Sequence, residues 1–315
     1  MTAESRVEVE HEIGVNVAAD EVYRLIAEVE NWPLLFPPTI HVEQSALGPG
    51  EERIRIWAAA GGQPRTWTSR RRLAPEERRI DFRQEISAHP VAEMGGAWII
   101  EPLSAHGSRV RLLHDYRAVD DDADSLAWIA KAVDENSTAE LAALKENAER
   151  ATSGADLTFS FEDSVQVEGA AKDAYEFVYD AARWPVRLPH VGEVLLTEDA
   201  PGLQTLRMET RTRDDAVHTT ESFRVCLPTR HIVYKQTVLP ALMSLHTGHW
   251  RFDEKPDGRV TVTSRHTVVV NEDNIAPILG ADAGVTEARD HIQRALSANS
   301  QATLRHAKAY AEAQR

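Results

Sequence analysis

A single cysteine, Cys226, is present in the 315 residues. That scarcity excludes an internal disulfide framework and every zinc site built on several cysteines. No run approaches the roughly eighteen uninterrupted apolar residues of a membrane-spanning helix, so no membrane partner is expected. The start, MTAESRVEVEHE, lacks the charged-then-apolar layout of a secretory signal, and a cytoplasmic location follows as the expectation. Positive charge is in deficit: 35 Lys and Arg against 50 Asp and Glu leave a net charge of −15. Phosphates would be repelled across most of such a surface, which argues against nucleic acid as a partner. A Gly-rich phosphate loop, HExxH, CxxC and GxSxG are all missing, and no His-carboxylate spacing specifies a metal. Neither a metal nor another cofactor is expected.

What is present is globular: 42% apolar and 27% charged residues, in a chain long enough for two domains. The chain also repeats itself. VYRLIAEVENWPLLFPP, from Val22, answers AYEFVYDAARWPVRLPH, from Ala174, aligning Trp32-Pro33 with Trp184-Pro185. GAW ending at Trp98 answers GHW ending at Trp250, and AVDENSTAEL answers ALSANSQATL, aligning Asn136 with Asn299. Ordered matches at a nearly constant spacing of about 150 residues mark a tandem duplication of a domain-sized unit. The seam falls at ERATSGADLTF, giving expected domains 1–152 and 156–315.

Each unit reads alike. A strand (Arg6 to Val17; Leu157 to Val167) precedes a short amphipathic helix (Ala19 to Glu28; Lys172 to Ala181) cut by the Trp-Pro step. Strand-like segments separated by turn signals such as AAGGQP and LAPEE follow, and a long helix closes the unit (Ala123 to Arg150; Ala283 to Ala313). The expected class is α+β, a curved antiparallel sheet around the last helix, with a cavity between them.

Strand parity indicates what lines that cavity, because residues two apart share a face. In RTWTSRRRL, Trp67, Ser69, Arg71 and Leu73 share one face and the wholly polar Thr66, Thr68, Arg70 and Arg72 the other. The first set reads as inward and carries Arg71 into the cavity; a bulge in the hairpin would instead put Arg72 inside. The second unit aligns Ser222 with Ser69 and Arg224 with Arg71, while Thr220 replaces the tryptophan. In RVRLLHDYRA, His114 shares an apolar face with Tyr116. Two readings of His114 are open, a satisfied core histidine or an acid/base group. Matching RVTVTSRHTV to this strand places Ser264 at the His114 position and His266 at the Tyr116 position, so the two pockets are expected to differ in chemistry. On the last helix Asn136 falls on or beside the inward stripe, as does Asn299, and Asp134 sits at its edge.

In sum, ENWPLLFP around Trp32, the W-x-S-x-R of Trp67, Ser69 and Arg71, the HDY of His114 to Tyr116 and the Asn-bearing last helix occur in order within a duplicated pattern. The whole resembles the two-domain polyketide aromatase/cyclases of bacterial type II polyketide synthases, within the START-like helix-grip superfamily. The resemblance implies aldol ring closure and dehydration of a poly-β-ketone carried by an acyl carrier protein. Arg71, His114, Ser69, Tyr116 and Asp134 would then be catalytic. Trp32, Trp67, Trp98 and Asn136, with Trp184, Ser222, Arg224, His266 and Asn299 of the second unit, would bind substrate. Arg71 is too basic to remove a proton but suits an enolate oxygen. Outward Arg70 and Arg72, with Arg65, Arg78, Arg79 and Arg83, would form a basic rim for an acidic carrier, or a charged hairpin balanced by Glu76 and Glu77. The competing function is a non-enzymatic START-like carrier of a lipid or aromatic molecule.

Overall fold

Period-two alternation, strand after strand, builds one seven-stranded antiparallel sheet in each of two units, Met1–Ala155 and Asp156–Arg315. The computed structural model describes residues 6–153, 157–211, 217–256 and 258–314, and the seam around Gly154 lies outside them. The first unit runs β1 (Val7–Val15), α1 (Ala19–Ala27), α2 (Trp32–Leu35), β2 (Thr39–Gly48), β3 (Glu51–Ala60), β4 (Gln63–Ala74), β5 (Arg79–Ile86), β6 (Val91–Ser104), β7 (Gly107–Ala118) and α3 (Ala123–Ser153). The second repeats the order with β8 (Thr158–Val167), α4 (Ala171–Tyr179), α5 (Trp184–Arg187), β9 (Val191–Ala200), β10 (Leu203–Arg211), β11 (Val217–Leu227), β12 (His231–Val238), β13 (Met243–Glu254) and β14 (Val260–Val270). It adds α6 (Ile275–Leu279) before the closing α7 (Val285–Glu312). In both sheets the first strand pairs with the last, and the remaining strands follow as a meander.

Helix α1 forms because Ala19, Val22 and Ile26 recur at helical spacing and are buried, while Asp20 and Glu21 favour its N-terminal turn. The Trp-Pro step does not cut this helix but opens α2, where the fixed φ of Pro33 suits a first turn. The later turns of α3, through Leu141, Leu144 and Ala148, pack on Ile54, Ile80, Ile100 and Leu112 of the sheet. Full burial of such a side chain contributes roughly 1.5–3 kcal/mol. The earlier turns of α3 border an internal cavity instead.

The ladder register corrects one alignment. His114 stands opposite Gly96 on one side and Val9 on the other. His266 stands opposite Gly248 and Phe161, the same place in the second sheet. The counterpart of His114 is therefore His266, and Ser264 answers Leu112, each facing the tryptophan of the preceding strand. Both glycines are required: a Cβ on Gly96 would meet the backbone carbonyl oxygen of Leu113 at 1.8 Å, and one on Gly248 that of Arg265 at 2.2 Å.

Candidate active site

Parity in β4 holds without a bulge at the critical position. Arg71 points inward with its side chain 1% exposed, whereas Arg72 points out, 61% exposed, against Asp81. The Arg71 guanidinium caps the end of α1: Nη2 donates to the carbonyls of Ile26 and Ala27, each at 3.3 Å. Helix C-termini leave carbonyls unpaired and favour a cation, which gives this arginine a structural duty. Its Nε lies 3.3 Å from Glu52, its plane sits over Trp32, and Nη1 has no partner. Burial pulls its pKa down to about 10, so it stays cationic at neutral pH.

The second unit repeats the cradle with one exchange. Arg224 donates to the carbonyls of Val178 and Tyr179 and sits over Trp184, but its Nη1 also bonds Gln204, the residue at the Glu52 position. Gln204 in turn donates to Glu198, whereas in the first unit Gln44 donates to Glu52. Both terminal nitrogens of Arg224 are thus engaged, and one of Arg71 is spare.

The first unit encloses two adjoining lobes. The deeper, about 110 Å³, is bordered by Trp32, Trp67, Ser69, Arg71 and Trp98. The outer, about 130 Å³, is bordered by Arg65, His89, Trp128 and Asn136. Trp67, Gln84, Met94, His114 and Glu140 border both. A cavity of about 150 Å³ holds benzene, so each lobe suits one ring and a folded chain needs both. Buried polar atoms are nearly always paired. Here Arg71 Nη1, His114 Nδ1 and Gln84 Oε1 are buried without partners, all on residues bordering this cavity. Burial, reinforced by His11, pulls the His114 pKa down to about 4, leaving a neutral imidazole at neutral pH.

Two sequence candidates fall elsewhere. Asp134 is 74% exposed and meets His11 at 3.0 Å outside the cavity, because one helical step from Val133 turns it aside. Tyr116 is buried in a separate apolar cluster with Val7, Val91, Ile129 and Val133 and borders neither lobe. Glu140 and Gln84 went unnoticed in the sequence. Glu140 lies one turn after Asn136 on the same face, and that spacing was a signal for it. Because it borders both lobes it is only partly covered, yet protein surrounds it at longer range, and burial pushes its carboxyl up to about 7.

The outward arginines do not ring the mouth. Arg70, Arg72, Arg79 and Arg83 border a groove on the opposite face of the sheet. Their charges are met by Glu51, Asp81 and Asp115, and that of Arg78 by Asp20, carboxylates other than the expected Glu76 and Glu77. Arg65 alone of this group borders the outer lobe, donating to the His89 carbonyl and lying over Trp128.

Around His266 the second unit is polar where the first is apolar. His266 meets Tyr234, His246 and Ser264 at 2.9, 3.0 and 3.2 Å, and His246 meets Gln236 at 2.9 Å. The strand register puts Phe82 and Met94 at the positions of Tyr234 and His246. Ser222 is buried opposite Gln236, as Ser69 is opposite Gln84. Asn299 is half-buried, and its carbonyl accepts from Thr303. Among the described residues no group of three His, Cys, Asp or Glu is placed to hold a metal, and no helix is long and apolar enough to cross a membrane.

Comparison with known proteins places this geometry. Residues 6–149 and 167–289 each match a domain family described as polyketide cyclase/dehydrase and lipid transport. The granaticin polyketide synthase bifunctional cyclase/dehydratase of Streptomyces virginiae is 50% identical over 94% of this chain and 97% of its own. The actinorhodin counterpart of Streptomyces coelicolor is 46% identical over 96% of each. The crystal structure of the di-domain ARO/CYC BexL of the BE-7585A biosynthetic pathway superposes with a TM-score of 0.87 at 60% identity, covering 97% of this chain and 99% of that one. The di-domain ARO/CYC StfQ of the steffimycin pathway gives 0.86 at 36% identity, with the same coverage.

Proposed function

The chain belongs to the two-domain polyketide cyclase/dehydratase family, and we propose that it closes and aromatises the first ring of a poly-β-ketone delivered by an acyl carrier protein. The observation that carries this reading is the set of three unpaired polar atoms, on Arg71, His114 and Gln84, around the aromatic-walled cavity of the first unit. Each atom is sealed in the empty fold, and a planar, oxygen-rich chain that shifts these side chains as it enters supplies what each lacks.

The chemistry follows from placement. A carbon flanked by two carbonyls is already acidic, so a neutral His114 is a sufficient base. The carbanion attacks a ketone carbonyl further along the chain, a C–C bond forms, and the carbonyl oxygen becomes an alkoxide that takes the proton from the His114 imidazolium, giving a hydroxyl and restoring the neutral base. The spare Nη1 of Arg71 stabilises the developing oxyanion in a low-dielectric lobe, an effect worth roughly 3 kcal/mol per donor. Trp32, Trp67 and Trp98 wall the deep lobe and limit the chain to folds that bring the reacting carbons together. Ser69 and Asn136 offer hydrogen bonds to carbonyls in the deep and outer lobes respectively. The second unit, with its arginine and histidine engaged, supports the structure or finishes aromatisation.

Incubation with a carrier-bound poly-ketone tests the reading. Aromatised first-ring product above the spontaneous background is expected; tight binding of an aromatic molecule without turnover would favour a carrier protein instead.

A further inference from the structure

We propose that Trp128 is a specificity determinant that ends the outer lobe and limits the length of the free, untethered end of the poly-β-ketone. The proposal rests on the aromatase/cyclase reading above and names the part of the substrate that this wall reads.

Three elements meet on one indole. Trp128 stands in the second turn of α3 and borders the outer lobe but not the deep one. The β3–β4 hairpin turns on Gly61 and Gly62, with φ of 60° and 74°, the left-handed pair that a two-residue turn needs. A Cβ on Gly61 would stand 3.0 Å from Trp128 Cζ2, so the turn rests its backbone against the ring and leaves little room for a side chain. From the same hairpin Arg65 lies over the indole, 5.1 Å from its centroid, and its Nη1 donates to the His89 carbonyl at 2.9 Å in the β5–β6 loop. Gly61 and Gly62 are exposed and Trp128 is half-buried. The outer lobe therefore ends at this contact, with cavity on one side and solvent on the other.

The second unit is built without this closure. Counted back from the aligned Asn136 and Asn299, the Trp128 position holds His291; counted back from Ser69 and Ser222, the Arg65 position holds His218. Both histidines are exposed. Five residues separate β10 from β11, where two separate β3 from β4. The wall thus belongs to the unit in which Arg71 Nη1 and His114 Nδ1 are spare.

A chain folded beside Arg71 and His114 has two ends. The tethered end leads out to the carrier, whereas the free end has to be housed, and the outer lobe has room for about one further ring. Trp128 offers that end a flat apolar face on which planar β-dicarbonyl units stack. Gly61 and Arg65 hold the indole from one side, and the cluster around Tyr116, Ile129 and Val133 packs against it. Close-packed walls yield little, so a single surplus methylene in an apolar pocket costs about 10- to 200-fold in kcat/KM.

The test varies the free end alone. Carrier-bound poly-β-ketones with the same number of ketide units, each capped by an acyl group one methylene longer than the last, are given to full-length wild type, Trp128→Ala and Trp128→Leu. Aromatised product above the spontaneous control is followed by mass. Wild-type kcat/KM should fall at least about tenfold within the series, and Trp128→Ala should stay within about threefold across it. Trp128→Leu keeps an apolar contact with the Tyr116 cluster and should move the fall to longer caps, which preserves the test if Trp128→Ala fails to fold. A wild-type rate indifferent to the cap would overturn the proposal. So would the wild-type fall in a variant of unchanged melting temperature. Wild type that closes no ring above the spontaneous control with any cap would bring down the aromatase/cyclase reading, whereas loss of the length effect alone leaves that reading standing.

Discussion

Glu52 Oε1 lies 3.3 Å from Arg71 Nε, and both side chains are almost sealed from solvent. Removing one member of a buried pair leaves the other charge stranded, at a cost of about 3–5 kcal/mol. Glu52→Ala should lose that much in urea unfolding. Glu52→Gln should lose less, because Gln204 serves Arg224 in the second unit. Equal losses would show that the carboxylate charge itself is needed to hold Arg71.

His114 sets an acid limit on ring closure. It is a neutral base above about 4, so the rate above the spontaneous background should rise through that value. Glu140 leaves its signature in stability. A carboxyl raised from 4.5 to about 7 gives stability that is complete below 4.5 and lost as pH rises through about 7. Wild type should therefore lose ground to Glu140→Gln across that interval and not beyond it.

Much of this site was legible in the sequence because a strand's period of two is rigid: the inward set Trp67, Ser69 and Arg71 follows from counting alone. The structural duty of Arg71 was not, since its partners are backbone carbonyls of α1, far off in sequence and without letters of their own. The His266 alignment failed for a different reason. Matching Arg109-Val110 to Arg259-Val260 follows two letters, whereas ladder pairing forces β14 to inherit the offset of Trp98 and Trp250 on the neighbouring strands. On α3 the sequence reading stopped at Asn136 and Asp134; Asp134 faces away, and the overlooked Glu140, one turn past Asn136, borders the lobes.

Trp67 borders both lobes, and Thr220 takes its place in the second unit. Trp67→Thr should loosen the fold of the bound chain, cutting kcat/KM by roughly 10- to 100-fold and shifting products toward those of spontaneous cyclisation. Product ratios by chromatography provide the check. An unchanged ratio would remove Trp67 as a determinant of ring position.

Carrier docking should depend on Arg65 rather than on the arginines across the sheet. Arg65 borders the outer lobe, while Arg70 and Arg72 are answered by Glu51 and Asp81. Arg65→Gln should weaken carrier binding about tenfold at low salt, and Arg70→Gln should not. Titration with the acyl carrier protein distinguishes the two.

The most direct measurement is the yield of ring-closed product from carrier-bound poly-ketone for His114→Gln and His266→Gln in the full chain. Equivalent in the ladder, the two histidines differ in setting: one is unpaired at a cavity, the other bonded to Tyr234, His246 and Ser264. Ring closure should fall to the spontaneous background with His114→Gln and persist with His266→Gln. Full activity in the first variant, or equal loss in the second, would contradict a reaction chamber in the N-terminal unit.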